Sequence, residues 1–260
     1  MANKKTNISV VLPVHELVGE ENMKLFNNAM TSIGNQEVKP DSVLIVTPKG
    51  SDVYKKLKDM DLTSHGVKTT ILENPGGTDF SSQVNYGVSQ CKTEWFSILE
   101  FDDEYSSKWF KNVVKYKEAH KDVDVFMPII IDVNQKDGSF MGLTNEAVWA
   151  NSFSDELGVL DNNALLSFQN FNIDGITMKT EAFNESGGLK SNIKLTFIYE
   201  FLLRITFKDQ KVMVIPKLGY KHLNQRPDSL FVKYKEEMDP VEANWWLAQA
   251  KKEYYFDNER

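Results

Sequence analysis

Apolar residues in this chain gather in short dense runs that alternate with stretches of helical period. Residues 8–14, 43–46, 67–72 and 95–99 are compact, β-prone runs. Between them lie 22–33, with Met23, Phe26, Met30 and Ile33 at helical spacing, and 53–60, which Ser51 or Asp52 can cap. A third helical stretch, 80–90, puts Val84, Gly87 and Val88 on one face. Strand and helix alternating in this way predict βαβ units and a mostly parallel sheet covered by helices. Beyond residue 105 the pattern loosens. Helices are predicted over 109–120, 195–207 and 240–256, the last with Pro240 near its start. Strands are predicted over 123–131, 176–178 and 212–215, the last stopping at Pro216. Residues 181–185 read as one helical turn ended by Gly187-Gly188. Residues 134–171, rich in Asn, Ser, Asp and Gly, are expected as a long loop with short helices. The reading is a single α/β domain over 1–236, with halves at about 8–105 and 106–230, followed by a C-terminal helix over 237–260.

Composition narrows the classes. With 260 residues, 41% hydrophobic and 12% aromatic, the chain can bury a sizeable core. A net charge of −7 argues against broad nucleic-acid binding, which needs a basic surface. The single cysteine, Cys91, excludes an internal disulfide and a thiolate metal site. No targeting segment and no transmembrane segment of roughly 20 apolar residues is visible, so a cytoplasmic protein is expected. Trp245-Trp246 and Tyr254-Tyr255-Phe256 make the C-terminal helix aromatic. Packing on the domain, or across a homo-oligomer contact, is the ordinary use of such a face.

The most informative segment is 94–104, where the apolar run ends in Glu100-Phe101-Asp102-Asp103-Glu104. Four carboxylates within five positions repel one another and resist desolvation. A hard divalent cation, Mg2+ or Mn2+, relieves both problems and leaves coordination positions for phosphate. The end of a strand is also where open α/β sheets bind ligands. A solvated acidic turn before a helix would carry the same residues, so the neighbouring motifs decide.

Those motifs resemble the family 2 glycosyltransferases, nucleotide-sugar enzymes of the GT-A fold. Ile8-Ser9-Val10-Val11-Leu12-Pro13-Val14-His15-Glu16 is similar to that family's opening strand beside the nucleotide. Asn85 and Gly87 match its Arg-Asn-x-Gly helix, with Val84 where Arg is usual. Residues 95–103 resemble the strand that delivers a metal-binding Asp-x-Asp, with Glu100 in the first acidic position and Asp102 and Asp103 following. Gly187-Gly188 and the 220–230 segment, with His222 and Arg226, resemble the Gly-Gly before the acceptor helix and the closing loop over the diphosphate. The resemblance spans about residues 8–230. It implies a GT-A-like, Rossmann-related fold and sugar transfer from a nucleotide sugar, a UDP-sugar first, to an acceptor the sequence does not name. It implies Mn2+ or Mg2+ held by Glu100, Asp102, Asp103 and His222, and a donor site of Pro13, Val14, Glu16, Thr47, Asn85 and Arg226. The loop 222–229 is expected to close over the diphosphate.

Two departures stand out. Thr47-Pro48 replace the Asp that holds the uracil ring in the family, and Phe197-Ile198 replace the Glu-Asp whose Asp is its general base. Glu200, one turn later, and Asp174 are the candidate substitutes for the base. Glu200 has an ordinary alternative as the i,i+4 partner of Arg204, and Asp174 as a turn residue. These departures keep a second expectation open, a catalytically degenerate binding or structural module on the same fold. A nucleotidyltransferase would need a Gly-rich basic loop after the first strand, and Pro13-Val14-His15-Glu16 is not one.

Overall fold

Strand β1 (Ile8–Pro13) is buried along its whole length and has a parallel neighbour on each side, β2 (Ser42–Pro48) and β4 (Trp95–Ile98). A third parallel pairing adds β3 (Thr69–Asn74) beyond β2. β1, β2 and β4 are covered on both faces and so read as dense apolar runs, whereas the edge strand β3 is only partly buried. The computed structural model of the protein describes residues 6–224, 226 and 229–255.

The covering helices of this half are α1 (Gly19–Gly34), α2 (Asp52–Lys58) and α3 (Phe80–Ser89). Ser51 caps α2 by accepting the Tyr54 N–H at 3.3 Å, and Asp79 caps α3 by accepting that of Ser82 at 2.9 Å. Helix α3 lies close against the sheet because Gly87 has no side chain. A Cβ there would fall 2.5 Å from Val11 Cγ1.

Past β4 the sheet becomes mixed. Its order is β3-β2-β1-β4-β9-β6-β10-β5, with β9 (Thr177–Lys179) antiparallel between β4 and β6 (Val125–Asn134). Strand β10 (Val212–Asn224) runs parallel to β6, and the two-residue β5 (Glu104–Tyr105) pairs antiparallel at its far side. The other helices are α4 (Trp109–Ala119), α5 (Asn162–Ser167), α6 (Thr180–Ser186), α7 (Phe197–Phe207), α8 (Leu230–Glu237) and α9 (Pro240–Tyr255). Gly187 ends α6 in the left-handed conformation, φ 91°. Helix α9 packs on the main body through Ala250, which is buried in the same apolar cluster as α7. Among the described residues no helix is long and apolar enough to cross a membrane.

The structure corrects several expectations. Residues 134–171 hold the short helices expected, a 3-10 turn at Glu146–Trp149 and α5, but also two strands that were not: β7 (Phe140–Thr144) forms a hairpin with β6, and β8 (Val159–Leu160) pairs with β10 ahead of α5. Strand β5 and helix α8 lie where no element was expected. Strand β10 does not stop at Pro216. It passes the proline through two register shifts, between Ile215 and Leu218 and between Leu218 and Tyr220. A bulge leaves the missing proline N–H outside the ladder, so the strand continues. Gly219 makes the bulge fit, since a Cβ there would meet Trp109 at 2.5 Å and Pro128 at 2.7 Å. Beyond it His222 stands in register with Asp132 of β6.

Candidate metal and donor site

Strand β4 ends at the acidic turn, and β10 passes beside it. The join is made by hydrogen bonds from β10: the Tyr220 hydroxyl accepts the Glu100 backbone N–H at 3.1 Å, and Asp103 Oδ1 accepts the Leu223 N–H at 2.8 Å. Asp174 arrives from the segment before β9, where Gly175 (φ 71°) donates its N–H to Ile98 O at 3.1 Å. A Cβ on Gly175 would lie 2.6 Å from the Tyr220 ring, so glycine admits this close turn. The outcome is a cluster of Asp103, Asp174 and His222 whose ligand atoms all lie within 4.8 Å of one another. Glu100 adjoins it, its carboxyl close enough to feel the charges of Asp174, Asp102 and His222.

Each member is held by a neighbour. His222 Nδ1 lies 2.8 Å from Asp132 Oδ1, and Asp132 Oδ2 accepts the Thr144 hydroxyl at 2.8 Å. Asp174 accepts a hydrogen bond from the Asn172 side chain. Asp102 forms an ion pair with Arg226 (Nε to Oδ2, 2.8 Å), whose guanidinium lies 4.9 Å over the Phe101 ring. His15 meets that same ring edge-on at 5.4 Å. Burial, with Arg226 and Lys233 nearby, lowers the His15 imidazole to about 4, so it is neutral at pH 7.

The electrostatics show a surplus of negative charge in a dry place. Burial pushes the Glu100 carboxyl well above the usual range, and Asp174 and Asp102 add to the rise. Burial does the same to Asp103, opposed by His222. Asp174 is pushed up to about 7 by burial, opposed by His222 and reinforced by Asp103. For His222, burial alone would lower the imidazole, but Asp103, the Asp132 hydrogen bond, Asp174 and Glu100 together lift it to about 11. Carboxyls driven toward the neutral form and an imidazole driven toward the charged one both register a demand for positive charge.

A divalent cation fits this donor set. Asp103 Oδ2 and Asp102 Oδ1 are buried oxygens without a hydrogen-bond partner among the described residues, and such atoms in a folded protein call for an explanation. Carboxylate oxygen with imidazole suits Mn2+ and, less strongly, Mg2+. The neutral Nδ1–H tautomer of His222, donating to Asp132, leaves Nε2 as the ring nitrogen for a cation.

The cluster brings together Asp103, Asp174 and His222 from the expected set, with Glu100 and Asp102 adjoining. Asp102, expected as a ligand, directs Oδ2 to Arg226 and leaves Oδ1 without a hydrogen-bond partner among the described residues. Asn85 and Glu200 belong to a second network. Asn85 Nδ2 donates to Leu189 O at 2.7 Å, and its Oδ1 accepts the Leu189 N–H at 2.8 Å. Glu200 is buried and accepts from Arg204 at 2.8 and 3.0 Å, while Lys190 approaches at 3.0 Å. Arg204 also donates to the carbonyls of Ser186 and Gly188. Together these clamp the Gly187-Gly188 turn, and they leave Glu200 poorly placed to take a substrate proton.

The remaining donor-site residues sit at the ends of the parallel strands. Pro13 closes β1, and Val14 donates its N–H to Val46 O at 2.8 Å. Glu16 lies 3.8 Å from Lys233 of α8. Thr47 is buried and donates its hydroxyl to Leu72 O at 3.3 Å. In the expected closing loop, residues 225, 227 and 228 lie outside the described residues. Asp132, Thr144 and Asn172 were not anticipated. The available signal for Asp132 was a carboxylate placed directly after the apolar run Ile129-Ile130-Ile131.

The fold has solved relatives. A structure of S. aureus TarS 1–349 in complex with UDP-GlcNAc superposes with a TM-score of 0.60 at 13% identity, covering 86% of this chain and 60% of that one. TarS 1–349 in complex with UDP gives 0.60 at 13% identity, covering 96% and 73%. A longer S. aureus TarS structure gives 0.59 at 15% identity, covering 96% and 44%. The chain therefore spans well under two thirds of the longest of these proteins, and at this identity the likeness establishes the fold. No curated protein matches the sequence. The profile of glycosyl transferase family 2 matches residues 18–186, more than half of the chain, a stretch that holds the acidic turn and Asp174 and stops short of His222. The chain belongs to glycosyl transferase family 2.

Proposed function

We propose that this protein transfers a sugar from a nucleoside-diphosphate sugar, a UDP-sugar first, in a reaction that depends on Mn2+ or Mg2+. The observation that carries the proposal is the buried Asp103–Asp174–His222 cluster with its orphaned carboxylate oxygen at the end of β4. Asp103 and His222 would hold the cation. When bound, the cation neutralises charge on the leaving diphosphate. Arg226, already paired with an acid beside the cluster, can exchange Asp102 for phosphate oxygen through its planar guanidinium. Asp174 is assigned the acceptor proton, because it lies in the cluster while Glu200 is tied to Arg204 and Lys190. Phe101 and the neutral His15 give the Arg226 side an aromatic wall that limits water. The UDP and UDP-GlcNAc in the TarS structures support a uridine donor. Thermal-shift screening of nucleotide sugars with and without Mn2+ tests the reading. A shift that needs both components supports it. No shift with any nucleotide sugar in the presence of Mn2+ would favour the alternative, a non-catalytic module on this fold.

A further inference from the structure

We propose that Asp132, itself held by Thr144, is a positioning residue that makes His222 a cation ligand, so that the β6–β7 hairpin is part of the metal site. The inference deepens the reading above and rests on it. Three observations on neighbouring strands carry it. Asp132 and His222 are register partners across β6 and β10, and His222 Nδ1 stands 2.8 Å from Asp132 Oδ1. The other carboxylate oxygen is fixed by the Thr144 hydroxyl at 2.8 Å, and Thr144 is buried on β7. His222 in turn belongs to the cluster with Asp103 and Asp174.

The chemistry follows from the two nitrogens of one ring. An imidazole that binds a cation must present an unprotonated nitrogen, and the remaining N–H needs an acceptor. A carboxylate at Nδ1 selects the Nδ1–H tautomer, fixes the ring plane, and raises the basicity of Nε2. Thr144 stops the Asp132 carboxylate from rotating away. Asp132 is also register-locked, since β6 is paired on both sides at this point, with His222 on β10 and with Gly142 on β7. The bulge at 216–219 completes the arrangement, because only the shifted register brings His222 opposite Asp132. A plain strand-stabilising ion pair would use the same two residues but would leave cation affinity unaffected by Asp132 once the fold is intact.

Mn2+ titration followed by electron paramagnetic resonance separates these cases. It is run on the full chain as wild type, Asp132→Ala, Asp132→Asn, Thr144→Val, His222→Ala and the Asp132→Ala/His222→Ala double variant, each checked for fold by circular dichroism. Asp132→Ala should weaken Mn2+ binding by about 10–100-fold. Asp132→Asn, which keeps a carbonyl acceptor for Nδ1–H, should recover most of that loss, and Thr144→Val should lose about threefold or more, below the full effect of an outer-shell deletion. The double variant should bind no more weakly than His222→Ala alone, because Asp132 acts through His222. Wild-type affinity in a folded Asp132→Ala protein, or additive losses in the double variant, would overturn the inference while leaving the metal site standing. Absence of Mn2+ binding to the wild type would instead remove the metal reading itself.

Discussion

Asp103 accepts the backbone N–H of Leu223 at 2.8 Å, one residue beyond His222. That bond ties the acidic turn after β4 to strand β10, whose register is set against β6. Two candidate ligands separated by 119 positions in sequence thus share one local frame. The turn alone is an acidic surface feature. With β10 alongside, it becomes a buried donor set in which Asp102 Oδ1 and Asp103 Oδ2 have no hydrogen-bond partner among the described residues.

Asp103 and Asp102 should therefore behave differently. Asp103→Asn removes a carboxylate that faces the cluster, and its Mn2+ affinity should fall by more than about tenfold, at least the size of an outer-shell loss. Asp102→Asn weakens the pair with Arg226, which competes with phosphate for the same guanidinium, so it should spare Mn2+ affinity and raise rather than lower affinity for a nucleoside diphosphate. Calorimetric titration of each variant with Mn2+, then with UDP, separates the two effects. Equal Mn2+ losses in both variants would show that Asp102 is a ligand after all.

The Glu200–Arg204 pair should act on stability. Both side chains are buried, at 2% and 4% exposure, so leaving one uncompensated costs about 3–5 kcal/mol. Arg204→Met leaves Glu200 its pair with Lys190 and should show a loss up to that size in urea denaturation. Burial would raise the Glu200 carboxyl, but the Arg204 hydrogen bonds and charge, with Lys190, hold it below the usual value. A depressed folded-state pKa contributes stability that is complete above the unfolded value of about 4.3 and lost as pH falls through the folded value. The stability gap between wild type and Glu200→Gln should narrow below about pH 4. A gap independent of pH from 7 to 3 would contradict the ion-pair account.

Gly219 should tolerate no side chain. An added Cβ meets Trp109 at 2.5 Å and Pro128 at 2.7 Å, both on packed elements, so Gly219→Ala should cost about 1–3 kcal/mol by overpacking. Because this glycine sits in the bulge that brings His222 opposite Asp132, Mn2+ affinity should fall with it. Chemical denaturation and Mn2+ titration of the same sample test both parts. A destabilised variant with unchanged Mn2+ affinity would uncouple the bulge from the site.

The parallel half of the fold was legible because β1, β2 and β4 are buried on both faces and two of its three helices carry their own caps at Ser51 and Asp79. The second half was less so. Strand β10 hides behind Pro216, since a proline in a bulge looks in sequence like a strand terminator. Strand β7 has Phe140 and Met141 exposed, so its apolar residues give no alternation toward a core. Strand β5 has only two residues, too few for any period. In the site, the clustered carboxylates of the acidic turn announced themselves by local density. Which of them faces a ligand was not legible, because Asp102 and Asp103 are adjacent and only the positions of Arg226 and Leu223 tell them apart. Asp132 shows in sequence only as a carboxylate after an apolar run, and its role was hidden for the same reason: its partner His222 is 90 residues away and is met only through the sheet.

In the proposed function, a cation at the Asp103–His222 cluster couples this protein to a nucleoside diphosphate. The most direct test is isothermal titration of the wild type with UDP in Mn2+ and in EDTA, repeated on Asp103→Asn. UDP should bind the wild type tightly only when Mn2+ is present, and the Asp103→Asn protein should bind it weakly in both buffers. Equal UDP affinity for the wild type with and without Mn2+, or undiminished Mn2+-dependent binding by Asp103→Asn, would contradict the account.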